Sequence, residues 1–128
     1  MKLGLAAWHR AMLAGCPDDL LAELLAEDAV FHSAVAHTPQ EGRDKAALYM
    51  GAAGRVFANS GFAYVRELVD GPEACLEFSA EIDGVTINGV DLIRFDLEGR
   101  IVDFKVMLRG QQAIDVVWQK MTDELENT

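Results

Sequence analysis

The chain has 128 residues, 51% of them apolar, with 21 acidic against 11 basic side chains and a net charge of -10. That length fits one domain, 1–128, whose core needs no metal or disulfide to hold it. The apolar content excludes a disordered chain, and no apolar run is long enough to cross a bilayer. The negative field makes nucleic acid and anionic membrane surfaces poor partners. Two cysteines, Cys16 and Cys75, form no disulfide framework and fit a reduced, cytoplasmic setting.

Met1-Lys2, an apolar stretch and Leu13-Ala14-Gly15-Cys16 have the outline of a lipoprotein signal. His9-Arg10 interrupts the apolar run, however, and Leu5, Trp8 and Met12 make a helical stripe instead. The spacing predicts a first amphipathic helix over 3–14, closed by Gly15 and a turn at Cys16-Pro17. Asp18 and Asp19 suit the start of a second helix, with Leu20, Leu21, Leu24 and Leu25 as its buried stripe and an end near Glu27-Asp28. A short β-run over 29–32 leads into a loop through His37. Thr38-Pro39-Gln40-Glu41 has the form of a capping box with proline at the first helical position. A third helix begins there or after Gly42 and runs to about residue 58, with Ala46, Tyr49, Met50, Ala53 and Phe57 at core spacing.

Beyond Asn59-Ser60-Gly61 the pattern changes to strands. Residues 62–69 alternate into a turn at Asp70-Gly71-Pro72. Leu76, Phe78, Ala80 and Ile82 then alternate with Glu77, Ser79 and Glu81, which form a polar outer face, and Asp83-Gly84 is a hairpin turn. The stretch 85–109 reads as two long strands joined by a tight turn at Leu97-Glu98-Gly99. Gly89 inside the first marks a bulge or a close backbone approach. After Gly110 a last helix carries Ile114, Val117, Trp118 and Met121 on one side, ahead of an acidic tail. This order predicts an α+β domain with helices gathered on one face of a curved antiparallel sheet.

One carboxylate stands out. Ile87, Gly89, Asp91, Ile93 and Phe95 share a strand face that is apolar apart from Asp91. Arg94 points to the other face and cannot be its partner. An unpaired ionised carboxylate there costs several kcal/mol, so Asp91 must pair, hydrogen-bond or stay protonated. Two accounts stay open: an acid with a raised pKa that donates a hydrogen bond or moves a proton, or an Asp tied structurally to Trp8, a tyrosine or a loop amide. Asp103 and Lys105 fall on the opposite, convex face.

The element order, the Leu-rich second helix after Gly15, Asp28-Ala29-Val30-Phe31, Gly42-Arg43 and above all Asp91-Leu-Ile-Arg-Phe-Asp-Leu-Glu-Gly-Arg-Ile101 resemble the nuclear-transport-factor-2-like superfamily. Within it the likeness is to the SnoaL-like and ketosteroid-isomerase-like proteins. The resemblance implies a cone-shaped half-barrel, its curved antiparallel sheet covered on the concave face by helices that enclose an apolar pocket. It also implies a homodimer through the convex face, where Val90, Leu92 and Met107 would meet a partner. Ketosteroid isomerase joins an aspartate base to an oxyanion hole of a tyrosine and a protonated aspartate. Laid on this chain, the protonated aspartate matches Asp91, the tyrosine position falls on Trp8 and the base position on Ser33. With two of the three roles changed, steroid isomerisation by that route is not expected.

His32, beside Ser33, would serve as a general base if a bulge turned it inward, although strict alternation turns it outward. Tyr49, Phe57, Phe78 and Leu108 are further candidate lining residues, with Trp8 and Ser33. His9, His32 and His37 have no metal-ligand spacing, so neither a metal nor another cofactor is expected. The functional expectation is a site for a small hydrophobic molecule. Isomerase-, cyclase- or hydratase-type proton transfer centred on Asp91 would act on it, with a non-catalytic binding or dimeric interaction module as the alternative.

Overall fold

The computed structural model describes residues 4–127, so the expected helix start at Leu3 and the Met1-Lys2 end of the signal-like segment lie outside the described residues. The elements follow as α1 (Leu5–Leu13), α2 (Asp18–Leu24), β1 (Leu25–His32), β2 (Gln40–Glu41), α3 (Arg43–Phe57), β3 (Ala63–Asp70), β4 (Glu73–Ile82), β5 (Val85–Phe95), β6 (Ile101–Arg109) and α4 (Gln111–Glu126). The strands make one curved, unclosed sheet in the order β2-β1-β6-β5-β4-β3. This is the α+β cone expected from the sequence, with three local differences.

The first is where α2 stops. Leu25 is already extended (φ -85°, ψ 134°), and its carbonyl accepts a 3.0 Å hydrogen bond from Arg43 Nε. It begins β1 and pairs with Ile101. A buried strand start and a helical leucine stripe look alike in sequence, which is why the helix was expected to reach Glu27-Asp28. The second is the Thr38–Glu41 capping box, which goes unused. Gln40 and Glu41 instead pair with Phe31 and Val30 as β2, and α3 begins after Gly42, whose φ of 95° favours glycine. The third concerns strand direction. β1 lies parallel to β6, with Phe31 opposite Phe104 and His32 opposite Lys105, so the sheet is mixed rather than wholly antiparallel.

Alternation on the central strands sets the two faces. Ala74, Leu76, Phe78, Ala80 and Ile82 of β4, and Ile87, Gly89, Asp91, Ile93 and Phe95 of β5, are all buried on the concave side. Gly89 is a close approach rather than a bulge. The register runs unbroken through it, and a Cβ there would lie 2.6 Å from the Met107 carbonyl oxygen and 2.7 Å from the Phe78 ring. The helices cover this face with two hydrophobic clusters, one around Leu21, Leu25, Leu76 and Ile93, the other around Phe78, Ile87, Val117 and Met121. Full burial of each such side chain contributes about 1.5–3 kcal/mol. No described helix is long and apolar enough to cross a membrane.

Candidate functional site

Between the helices and the concave face lies a narrow cavity of about 60 Å³. Its floor comes from β5 and β6 (Asp91, Phe104, Val106, Leu108), and α1, α3 and α4 close over it with Trp8, Met50, Phe57 and Val117 among others. Asp91 is 5% exposed and is the one carboxylate in the lining, which holds no Lys, Arg or His. The register explains its position. Asp91 sits opposite Leu76 on β4 and Val106 on β6, in a row whose neighbours are apolar.

A chain of hydrogen bonds reaches this carboxyl from the helices. Trp8 Nε1 donates to the Tyr64 hydroxyl oxygen at 2.9 Å, and the Tyr64 hydroxyl donates to Asp91 Oδ2 at 2.5 Å. Burial without a cation pushes the Asp91 pKa up to about 7, and the Tyr64 hydrogen bond pulls it only part of the way back. Tyr64 is raised well above its ordinary value, first by burial and then by the negative charge of Asp91. The Cys16 thiol, also in the lining, is pushed up to about 12 by burial and then by Asp91, so it stays protonated and a poor nucleophile.

Of the residues singled out from sequence, Asp91, Trp8, Ser33, Phe57, Phe78 and Leu108 all border this cavity. His32 does not. Its Nε2 lies 2.9 Å from Asp103 Oδ1 on the convex face, because β1 continues its alternation through Phe31 and no bulge turns the ring inward. The general-base role conceived for His32 therefore has no route to the cavity. Tyr49 is also displaced from the lining. Met50, Ala53, Gly54 and Phe57 form the row of α3 that faces the cavity, and Tyr49 sits one residue back, packed between the two core clusters. Tyr64 was missed. A tyrosine on a strand is a weak signal alone, and the register shift between Tyr64 and Arg66 conceals which face it takes.

Among the described residues, no group of three or more His, Cys, Asp or Glu is placed to hold a metal ion. The convex face is built differently. Arg66 pairs with Glu77 (3.0 Å), Arg94 with Glu73 (3.1 Å) and His32 with Asp103, around a patch of Leu68, Cys75, Val90, Leu92 and Met107.

The cone, its helical cover and the cavity at its centre define a nuclear-transport-factor-2-like protein. The model of the SnoaL-like domain matches residues 5–104, and the chain belongs to that family. Among solved structures, a steroid delta-isomerase from Pseudomonas aeruginosa is 37% identical, with a TM-score of 0.88 over 95% of this chain and 88% of that one. An uncharacterized bacterial protein with a cystatin-like fold from Silicibacter pomeroyi is 31% identical, with a TM-score of 0.84 over 92% and 82% of the two chains. A putative SnoaL-like polyketide cyclase from Jannaschia sp. shares the fold at 11% identity, with a TM-score of 0.69 over 88% and 89%. No curated protein matches the chain.

Proposed function

We propose that the protein binds a small, mostly apolar molecule in this cavity and that Asp91 acts on it as an acid. The reaction would be isomerase-, cyclase- or hydratase-type proton transfer without a bound cofactor. The observation that carries this reading is a carboxyl 5% exposed, bordering a cavity with no cation, where burial pushes its pKa up to about 7. Such an acid is poised to give up and regain a proton at ordinary pH. The likeness to a steroid delta-isomerase supports an isomerase-type reaction. Ser33 and Trp8 do not supply that enzyme class's base and tyrosine, so water would take the proton removed from the ligand and return one to Asp91.

Size narrows the ligand. A cavity of about 60 Å³ holds on the order of four to six water-sized groups, so a polyketide-, terpene- or steroid-like molecule needs the lining to give way. Met12, Met50 and Met121 line it, and methionine repacks at low cost. A second reading, binding without turnover, is favoured by the absence of a base beside Asp91 in the lining.

The two readings part on Asp91→Asn assayed against a panel of cyclic ketones, epoxides and enones. Catalysis requires wild-type turnover that the variant loses while it keeps affinity. Affinity that depends on Asp91, with no turnover across the panel, makes it a binding module. A second copy of the chain is the proposed partner of the convex face. Leu68 and Met107 are exposed there and every helix packs on the other side. Leu92→Asp would then shift a dimer to monomer in sedimentation, and a wild-type monomer would end that idea. The two free thiols fit a cytoplasmic location for this activity.

A further inference from the structure

The bond chain behind Asp91 determines where its proton sits. The indole N–H of Trp8 can only donate, so at 2.9 Å it makes the Tyr64 oxygen an acceptor. Tyr64 has one hydroxyl hydrogen, and Asp91 is the acceptor it meets among the described residues. Asp91 Oδ2 is thus occupied as an acceptor. Oδ1 makes no hydrogen bond to a described residue, yet no fully buried side-chain polar atom is left without a partner. Oδ1 therefore opens onto the cavity that Asp91 borders.

Resting on the reading above, we infer that Tyr64, oriented by Trp8, is a positioning residue that places the acid proton of Asp91 on Oδ1. The acid proton on Oδ1 then joins the Ser33 hydroxyl as a hydrogen-bond donor in the lining, and the cavity selects a neutral ligand through an acceptor oxygen, such as the carbonyl of a compact ketone. Tyr64 does not touch the ligand itself, since it lies outside the cavity lining and its one hydroxyl hydrogen is used on Asp91. An anionic ligand meets no cation in the lining. An ammonium ligand meets a donor instead of an acceptor until Asp91 ionises.

Titration makes this selection pH-dependent. Among the residues that border the cavity, Cys16, in the turn between α1 and α2, is the one besides Asp91 that titrates, and from β3 Tyr64 touches Asp91. Both are pushed upward by burial, out of reach of neutral pH. Beyond Tyr64, His9 and Glu67 are paired with each other.

Cyclohexanone and cyclohexylamine test this as probes of one shape and opposite demand. With Asp91 titrating near 7, cyclohexanone binding falls about thirtyfold between pH 6 and pH 8.5, while cyclohexylamine binding strengthens. In Tyr64→Phe the carboxyl carbon of Asp91 titrates higher, because a bond that favours its charged form is gone. The midpoint for cyclohexanone moves up with it, the Trp8 indole N–H resonance shifts, and ketone affinity at pH 6 drops several-fold. Trp8→Phe, which leaves Tyr64 in place, moves the Asp91 titration the same way by less.

A role for Tyr64 in packing alone would lower stability without moving the Asp91 titration, and that result overturns the inference. Ketone affinity flat across the pH range, or cyclohexylamine bound more tightly than cyclohexanone at pH 6, overturns it as well. If neither probe perturbs Asp91 at any pH, the cavity reading fails and takes the ligand selection with it. The carbon titration in Tyr64→Phe still decides the placement of the proton.

Discussion

Glu77 and Asp91 lie on neighbouring strands of one sheet and are displaced in opposite directions. Glu77 faces the convex side. The Asn88 amide donates to it at 3.0 Å and Arg66 stands beside it, and together they hold its carboxyl below the usual range, against a smaller opposing effect of burial. Asp91 faces the concave side, where burial dominates and one neutral hydroxyl is its partner, and it rises to about 7. The chemistry of the two side chains is nearly the same. What differs is whether the environment supplies charge or removes water.

The largest break in this comparison comes from reversing the charge. Asp91→Lys buries a cation among apolar groups and leaves the Tyr64 hydroxyl without its acceptor. Urea denaturation should show a loss of about 4–5 kcal/mol. Glu77→Lys, on a half-exposed site that can rearrange in water, should change stability little. Comparable losses at both positions would mean that burial does not separate the two carboxylates.

Next in size is the pH dependence. The folded pKa of Asp91 lies above its unfolded value near 3.9, so its contribution is fully present below pH 4 and is lost as pH rises toward 7. Three units at 1.36 kcal/mol each set an upper bound of about 4 kcal/mol. Asp91→Asn should therefore be more stable than wild type at pH 8 by about 2–4 kcal/mol and gain nothing at pH 4. Glu77 has the opposite sign. Its folded pKa is depressed, so its contribution is present above the unfolded value and lost as pH falls further. Wild-type stability should thus peak near pH 4–5, and Glu77→Gln should lower stability at and above that peak while converging with wild type on its acid side.

Gly89→Ala sharpens the contrast between faces, since it presses a methyl into Phe78, Leu108 and the Met107 carbonyl and should cost about 1–3 kcal/mol in thermal or urea unfolding. His32→Ala should cost least, at most about 1 kcal/mol, because it removes one partly exposed hydrogen bond to Asp103 on the convex face. A large effect of His32→Ala on ligand binding would mean that the ring reaches the cavity after all.

The α+β layout was legible because the features that encode it are local, and the cone came with the family resemblance. Helical stripes, the turns at Asp83-Gly84 and Gly99, and strict alternation on β5 each show within a dozen residues. Asp91 was legible for the same reason, as one polar residue in an apolar row. Tyr64 was not, because its facing depends on a pairing with Phe78 that only the assembled sheet fixes. The parallel partnership of β1 with β6 was hidden in the same way. Hydrophobic pattern marks a strand but does not say which distant strand it joins, or in which direction.

That parallel partnership bears on how the protein comes off the ribosome. β1 emerges early, and before β6 exists its one strand partner is the two-residue β2. Phe31 cannot meet Phe104 until β6 has been made. The Phe31–Phe104 wall beside Trp8 therefore closes only after β6 is made, which makes for slow folding and leaves an apolar strand uncovered during synthesis. Truncation before β6 should yield an aggregating fragment rather than a smaller domain, because the walls of the candidate site join strands far apart in the sequence.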